Sequence, residues 1–468
     1  MSSKTRITIF IVCFLTFVIG APLIILYSRG YRFDIQNKEI TKTGGLFIKA
    51  KPNKVDVYLD KKPEKKTDLF FGSSFIKNLI PRKYSIKLEK ENYHSWQKKL
   101  KIKEQTVTEI NNISLIPKNP NRKTISKEIE ELWFFPDKTK ILLKEKTDDA
   151  WELKLYNFNK KLKSHLVKED DFSTSSVEIL DLNFSSDSQN ILLKLGAKEQ
   201  IKYYVLTIDP FPPKKENLTK LNNKQLDKIT FNPNNSQEII FQEEKQVYRY
   251  NIEDEKIKYY SSDLSEKDRE IITFFLTHNN FTYLTYSGFI YDSYSKEKIN
   301  KEELKVKRET KYEIKENSNF VFLLEKESGK LYAISKDKKE DNIKLLDENV
   351  NSFIFSPHND KLAYSLDHTI KIFYLKEQSS QPFNKKGDKV FISRFANEIS
   401  QLRWLNNHYL IFKANNSVKI TETDNRDKIN IINFLNFKKD FKLGWEPSSK
   451  ELLIYVDKNL FSYGLPTF

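Results

Sequence analysis

Apolar and polar positions divide this chain into three regimes. From Ile7 to Tyr27 the apolar run is unbroken. From residue 45 to 116, short alternating stretches separated by turn residues predict strands. From 124 to 468 the alternation continues, and it recurs. Its clearest copy is Ser352–Tyr364, SFIFSPHNDKLAY. Phe353 and Phe355 alternate with Ile354 as in a half-buried strand. Ser356 to Asp360 is turn chemistry, because Pro fixes φ and Asn and Asp tolerate left-handed backbone. Leu362, Ala363 and Tyr364 begin the return strand.

Other copies align on the turn position of Pro357. The equivalents are Pro136, Ser186, Pro233, His278, Glu316, Asn406 and Pro447, with spacings of 38 to 50 residues. Four positions earlier stand Leu132, Leu182, Ile229, Phe274, Tyr312, Phe353, Leu402 and Leu443. Two positions earlier stand Phe134, Phe184, Phe231, Leu276, Ile314, Phe355, Trp404 and Trp445. Five positions later stand Ile141, Ile191, Tyr283, Val321, Leu362, Ile411 and Leu452. The third copy is one residue longer and places Ile239 there.

A period near 44 with strand–turn–strand content is the signature of a β-propeller. One repeat supplies one four-stranded blade, which needs neighbours to bury its faces. The aromatics Phe134, Phe184, Phe231, Phe355, Trp404 and Trp445 are expected to pack between blades. The count gives eight blades, or seven if one of the weak fourth and fifth copies is spurious. A solenoid or two β-sandwiches would supply strands without the constant offsets. Lys123–Ile129 is expected to close the ring as the outer strand of the last blade, beside Leu460–Tyr463. The Ser-Pro-Asx turn resembles that of TolB-like propellers of bacterial envelopes, and more distantly WD-repeat proteins. The glycine common in that turn is Lys, Ser or Asn here, and the Trp-Asp dipeptide is absent. Such a resemblance implies fold rather than function.

The segment 7–27, ITIFIVCFLTFVIGAPLIILY, carries no charge. As a helix it would span about 31 Å, the thickness of a bilayer core. Ile7, Phe10, Phe14, Phe17, Pro22, Leu26 and Tyr27 are the anchor positions, with Pro22 a tolerated kink. A cleaved signal peptide is the competitor. Gly20-Ala21 is followed by Pro22 and five more apolar residues, which favours an uncleaved anchor. A lipoprotein site at Cys13 would need a small residue before it, and Val12 stands there. Residues 1–6 are a short flank, and 28–44 a juxtamembrane segment. Both flanks are basic, so charge does not set the orientation. A large β domain after one anchor is placed outside the cytoplasmic membrane.

Residues 45–116 read as a small β-sandwich. Its strands are Leu46–Ala50, Val55–Leu59, Tyr84–Glu89, Gln97–Ile102 and Thr106–Leu115. The stretches KAKPNKVDVYLDKK and NLIPRKYSIKLEKENYHSW resemble the PEGA domain. Pro52, Val55, Val57, Tyr58, Leu59 and Asp60 match its first half, and Leu79, Pro81, Tyr84, Tyr93 and Trp96 its second. The resemblance implies an extracytoplasmic β module beside a membrane anchor. It departs at Pro52-Asn53-Lys54-Val55, Arg82 and Asn92, which are turn positions. Tyr84, Tyr93 and Trp96 are expected in the core. Pro117–Lys123, PKNPNRK, has no apolar residue and reads as a linker.

Composition agrees with an all-β chain. Of 468 residues, 34 are Phe and 23 are Tyr. The formal charge of +16 comes from 80 basic and 64 acidic residues, interspersed throughout. A lysine-rich surface explains that excess, and attraction to an anionic partner is the functional alternative. The single cysteine excludes an internal disulfide and a cysteine-based zinc site.

No HExxH, GxGxxG, P-loop or GxSxG motif occurs. None of the six histidines is paired at ligand spacing. Residues 422–427, ETDNRD, resemble a calcium loop but lack its glycine and closing glutamate, so they read as a solvated turn. Tyr203-Tyr204 and Tyr259-Tyr260 read as packing aromatics. No catalytic, cofactor-binding or metal-ligating residue is expected. The expected protein is a single-pass, membrane-anchored scaffold of the cell envelope. Its propeller would bind an envelope protein or an anionic surface polymer, not nucleic acid, with the 45–116 module as spacer. An anchored hydrolase with its site in the propeller funnel is the alternative.

Overall fold

The structure, a computed structural model, describes residues 3–35, 37–147, 150–172, 177–197, 200–209, 211–259, 270–278, 280–293, 297–307, 309–337 and 342–468. Tyr260 lies outside them.

The apolar run lies within one helix, Ser3–Ser28, with Pro22 inside it. An 18-residue window within Thr5–Ser28 has a mean hydropathy of 2.9 and is not buried in the protein. Phe10, Phe14 and Phe17 are 70%, 57% and 71% exposed. A short hairpin follows, Tyr31–Asp34 against Glu39–Lys42, and joins no other sheet. The Thr43 N–H donates to Gly30 O across its base.

Two facing sheets follow. In the first, Gly44–Lys51 runs between Ser73–Leu79, antiparallel, and Val107–Ser114, parallel. In the second the order is Lys62–Lys66, Asp56–Leu59, Lys83–Glu89, Trp96–Lys101. Leu46, Ile48, Val57, Ile86, Leu88, Leu100 and Ile110 fill the space between them, with Tyr84 and Trp96 in the same core. Two strands exceed the sequence expectation. Lys62–Lys66 is exposed at all five positions, so no apolar alternation announces it. Ser73–Leu79 buries Ser74 and Ile76, and a serine facing inward hides the period.

From Arg122 onward the described residues form eight four-stranded sheets. Seven are simple antiparallel meanders, beginning with Ile129–Phe134 and ending with Ile431–Asn436. The eighth orders Phe441–Glu446, Glu451–Val456 and Asn459–Gly464, with Arg122–Ser126 as its outer strand. Arg122 pairs with Tyr463, and Ser126 with Leu460. Buried apolar clusters fill the gap between each sheet and the next. Ile129, Leu132, Ile141 and Leu143 of the first sheet pack on Leu453 and Leu460 of the eighth, so the row closes. A Cβ on Gly444 would lie 2.0 Å from the Phe134 ring, so the eighth sheet needs glycine to pass so close to the first. The result is a β-propeller.

All sixteen aligned apolar positions lie on the first strands of the eight sheets. The turns after them are of two kinds. In the first, second and sixth sheets four residues lie between the pairs Phe135–Lys140, Ser185–Asn190 and Ser356–Lys361. Lys138, Ser188 and Asn359 occupy the third turn position with φ of 56°, 58° and 52°. In the fourth and fifth sheets the turn closes over two residues, between Thr277 and Asn280 and between Asn317 and Phe320. Tyr283 pairs with Phe274 and Val321 with Glu316, two residues from the aligned partners and in opposite directions.

Candidate functional site: the channel and the sandwich–ring junction

The first strands of the second and third, fourth and fifth, sixth and seventh, and seventh and eighth sheets lie against one another. Among the described residues, each has one edge with no strand partner. Free edges carry unpaired backbone groups, which need other partners. Side chains from neighbouring sheets supply them. Asn183 Nδ2 donates to Ile229 O, Lys228 Nζ to Phe274 O and Lys315 Nζ to Phe353 O. Gln401 Nε2 donates to Phe441 O, and Arg403 Nε to Leu443 O. Trp404 Nε1 donates to Ile354 O at 3.3 Å, and Trp445 Nε1 to Leu405 O at 3.1 Å. These side chains of the first strands are thus occupied in holding neighbouring sheets together. Burial pushes the Lys228 ammonium down to about 8, with Glu313 opposing. For Glu313 burial acts upward, but hydrogen bonds from Lys315 and Lys326 win and hold its carboxyl low. No group of three or more His, Cys, Asp or Glu able to hold a metal ion occurs among the described residues.

Of the repeat-core aromatics, Phe231, Trp404 and Trp445 are buried, and Phe134, Phe184 and Phe355 are half-buried within the gaps between sheets. Among the anchor positions, Ile7, Phe10, Phe14, Phe17 and Tyr27 are exposed along the N-terminal helix.

The sandwich does not stand off as a spacer. It docks on the seventh sheet. Lys98 is 1% exposed, and its Nζ lies 2.9 Å from Glu422 Oε1. The same ammonium donates to Asp424 O at 2.6 Å, Arg426 O at 2.9 Å and Lys428 O at 3.0 Å. Trp96 Nε1 donates to Glu422 Oε2 at 2.7 Å. The Asn430 N–H and Nδ2 donate to Glu422 Oε1 at 2.8 and 2.7 Å. Burial raises the Glu422 carboxyl, and the Lys98 charge opposes this. Trp96–Lys101 is an edge strand, and the ring covers its edge. Its Lys99 N–H donates to Asp427 Oδ2 at 2.7 Å, and Gln97 O accepts from Asn430 Nδ2.

Residues 422–427 are therefore a receptor for the sandwich rather than a solvated turn. Arg426 completes the clamp. Its Nε and NH2 bind Asp424, and its NH1 donates to Glu109 O at 2.9 Å and Gln381 Oε1 at 3.0 Å. Local sequence could not show this, because the partners are distant along the chain. The only local signal was Lys98, a charge at an inward position of the strand.

Two hollows flank the contact. A small one of 40 Å³ lies among Trp96, Tyr374, His408, Tyr409 and Glu422. Burial and the nearby Lys361 push the His408 imidazole down to about 4, so it is neutral at pH 7. An open cleft of 640 Å³ lies between the sandwich and the ring. Lys83, Lys99, Lys101, Lys103 and Arg426 line it, with Val107 and Phe383 as apolar wall.

No family model matches the chain, and no curated protein matches it. Among solved structures, the β-propeller domain of Cps50 (Swd1) from Myceliophteria thermophila is similar over 74% of this chain and 99% of that one, at 12% identity and a TM-score of 0.40. The Dos1 propeller is similar over 74% and 96%, at 12% identity and 0.42. The computationally designed Ika8 protein is similar over 73% and 98%, at 12% identity and 0.44.

Proposed function

We propose that this is a membrane-anchored binding protein of the cell envelope. Residues 7–27 are its single-pass anchor, 45–116 a PEGA-like module and 124–468 an eight-bladed propeller outside the cytoplasmic membrane. The propeller and the docked module together present one rigid binding face to an envelope protein or anionic surface polymer. The observation that carries the reading is the docking itself. A buried, fully hydrogen-bonded Lys98–Glu422 contact fixes the module to the ring. The anchor reading is supported by the helix's exposed apolar surface, which water would not tolerate. The hairpin beyond it exposes Phe33 and Ile40, a cross-strand pair at 58% and 60%, as suits a position at the bilayer surface. Asn183, Gln401 and Arg403 of the first strands already hold backbone groups of neighbouring sheets, which favours binding over catalysis in the funnel.

The full-length protein in neutral detergent, incubated with the envelope fraction of its source cell, should retain envelope material that salt releases. Release of sugar or peptide fragments, abolished by a single carboxylate substitution near the axis, would replace this reading with a hydrolase.

A further inference from the structure

We infer that the 640 Å³ cleft between sandwich and ring is a binding site for a linear, phosphate-bearing polymer. This deepens the binding reading above and rests on it. The first observation is an unbalanced charge. Lys83 and Lys101 stand directly opposite each other in an antiparallel pair. Like charges so placed repel, and a fold gains nothing from the arrangement by itself. Lys99 lies on the same outward face, opposite Ser85, and Lys103 follows the strand. All four lysines are exposed, and none has an ion-pair partner among the described residues. Asp427 is the one carboxylate in the lining, and its Oδ2 accepts the Lys99 backbone N–H.

The second observation concerns the groups that meet the anion. Arg426 is the only guanidinium in the lining, and it is already committed to Asp424, Glu109 O and Gln381. The planar fork that binds carboxylate or phosphate bidentately is thus in use. What remains are ammonium groups, point charges that bind phosphate without needing a planar fork. Lys99 and Lys101 are spaced about 7 Å apart along the strand, so several phosphates in a row are met. Phe383, 70% exposed, and Val107, 40% exposed, offer an apolar surface to the carbon links between them. The Lys98–Glu422 contact holds both walls in place, so little ordering is lost on binding.

Calorimetry of the full-length protein in neutral detergent with tripolyphosphate tests this. Saturable binding is expected, weakening as salt rises. The double variant Lys83→Glu/Lys101→Glu should lose about tenfold or more in affinity. Both side chains are exposed, so its melting temperature should stay near that of the parent. Lys160→Glu/Lys438→Glu makes the same change in net charge outside the cleft and should bind nearly as the parent does. Equal loss in both variants would mean diffuse attraction and overturn the site. Polyglutamate of matched charge binding as tightly would overturn the phosphate assignment. Capture of vesicles rich in phosphatidylglycerol, lost with the cleft lysines, would reassign the site to lipid headgroups. Absent tripolyphosphate binding with envelope retention intact overturns the cleft alone. Tripolyphosphate binding without any envelope retention overturns the proposed function instead.

Discussion

Lys98 Nζ and Glu422 Oε1 meet at 2.9 Å inside the junction, joining the edge strand of the sandwich to the seventh sheet of the ring. Removing one partner leaves the other charged and buried. Lys98→Met should therefore cost about 3–5 kcal/mol in denaturant unfolding. The double replacement Lys98→Met/Glu422→Leu should recover part of that loss. If Lys98→Met costs under about 1 kcal/mol, the contact does not hold the two parts together.

Trp445 is 7% exposed and ties the eighth sheet to the seventh through Leu405 O. Trp445→Ala should cost about 3–5 kcal/mol, as a buried aromatic truncation. In a closed ring the loosening should reach the first sheet, where Phe134 lies against Gly444. Hydrogen exchange that rises only in the eighth sheet would argue for an open array.

Ring closure should weaken in acid. Ser126 of the closing strand donates to Glu145 Oε1 at 2.8 Å, and Lys163 and Lys154 hold the same carboxylate. Burial alone would raise the Glu145 carboxyl, but these hydrogen bonds outweigh it and hold it below 4.5. A depressed carboxylate stabilises fully above its ordinary value and loses that effect as pH falls through the lower one. Glu145→Gln should thus melt below the parent at pH 7. The gap should shrink once the pH drops beneath 4.5. A gap independent of pH would rule out the ionised carboxylate as the cause.

Lys138 holds φ of 56° in the first four-residue turn, where left-handed backbone crowds Cβ. Lys138→Gly should stabilise the first sheet by up to about 1 kcal/mol, partly offset by the freedom glycine gains when unfolded. Thermal melts showing destabilisation would mean that the lysine side chain contributes more than its backbone strain costs.

The ring was legible because its signal is local. Pairs such as Leu132 with Phe134 and Leu443 with Trp445 sit two residues apart and repeat with every sheet. The closing strand was legible too, because an unpaired stretch before the first repeat has one sheet left to complete. Local reading failed where partners are remote. Nothing near Glu422 announces Trp96 or Lys98, and a run of acidic and amide residues looks the same whether it meets water or an ammonium group. The five exposed positions of Lys62–Lys66 carry no period at all. The cleft lysines are individually unremarkable; only the register of Lys83 opposite Lys101 sets them apart.

The closing strand has a consequence in time. Arg122–Ser126 pairs with residues near the far end of the chain, Leu460–Tyr463. At a synthesis rate of about 5–20 residues per second, it waits roughly 20–70 s for its partner. Through that interval it is a strand with an open edge, the kind that recruits other chains. Its sequence is suited to waiting. Arg122, Lys123 and Thr124 are exposed even in the finished ring, and two of the three are charged. Trp96–Lys101 waits as well, for the loop at 422–430, and carries Lys98 where an apolar side chain would invite a neighbour. The residues that lock the finished molecule also guard the nascent one.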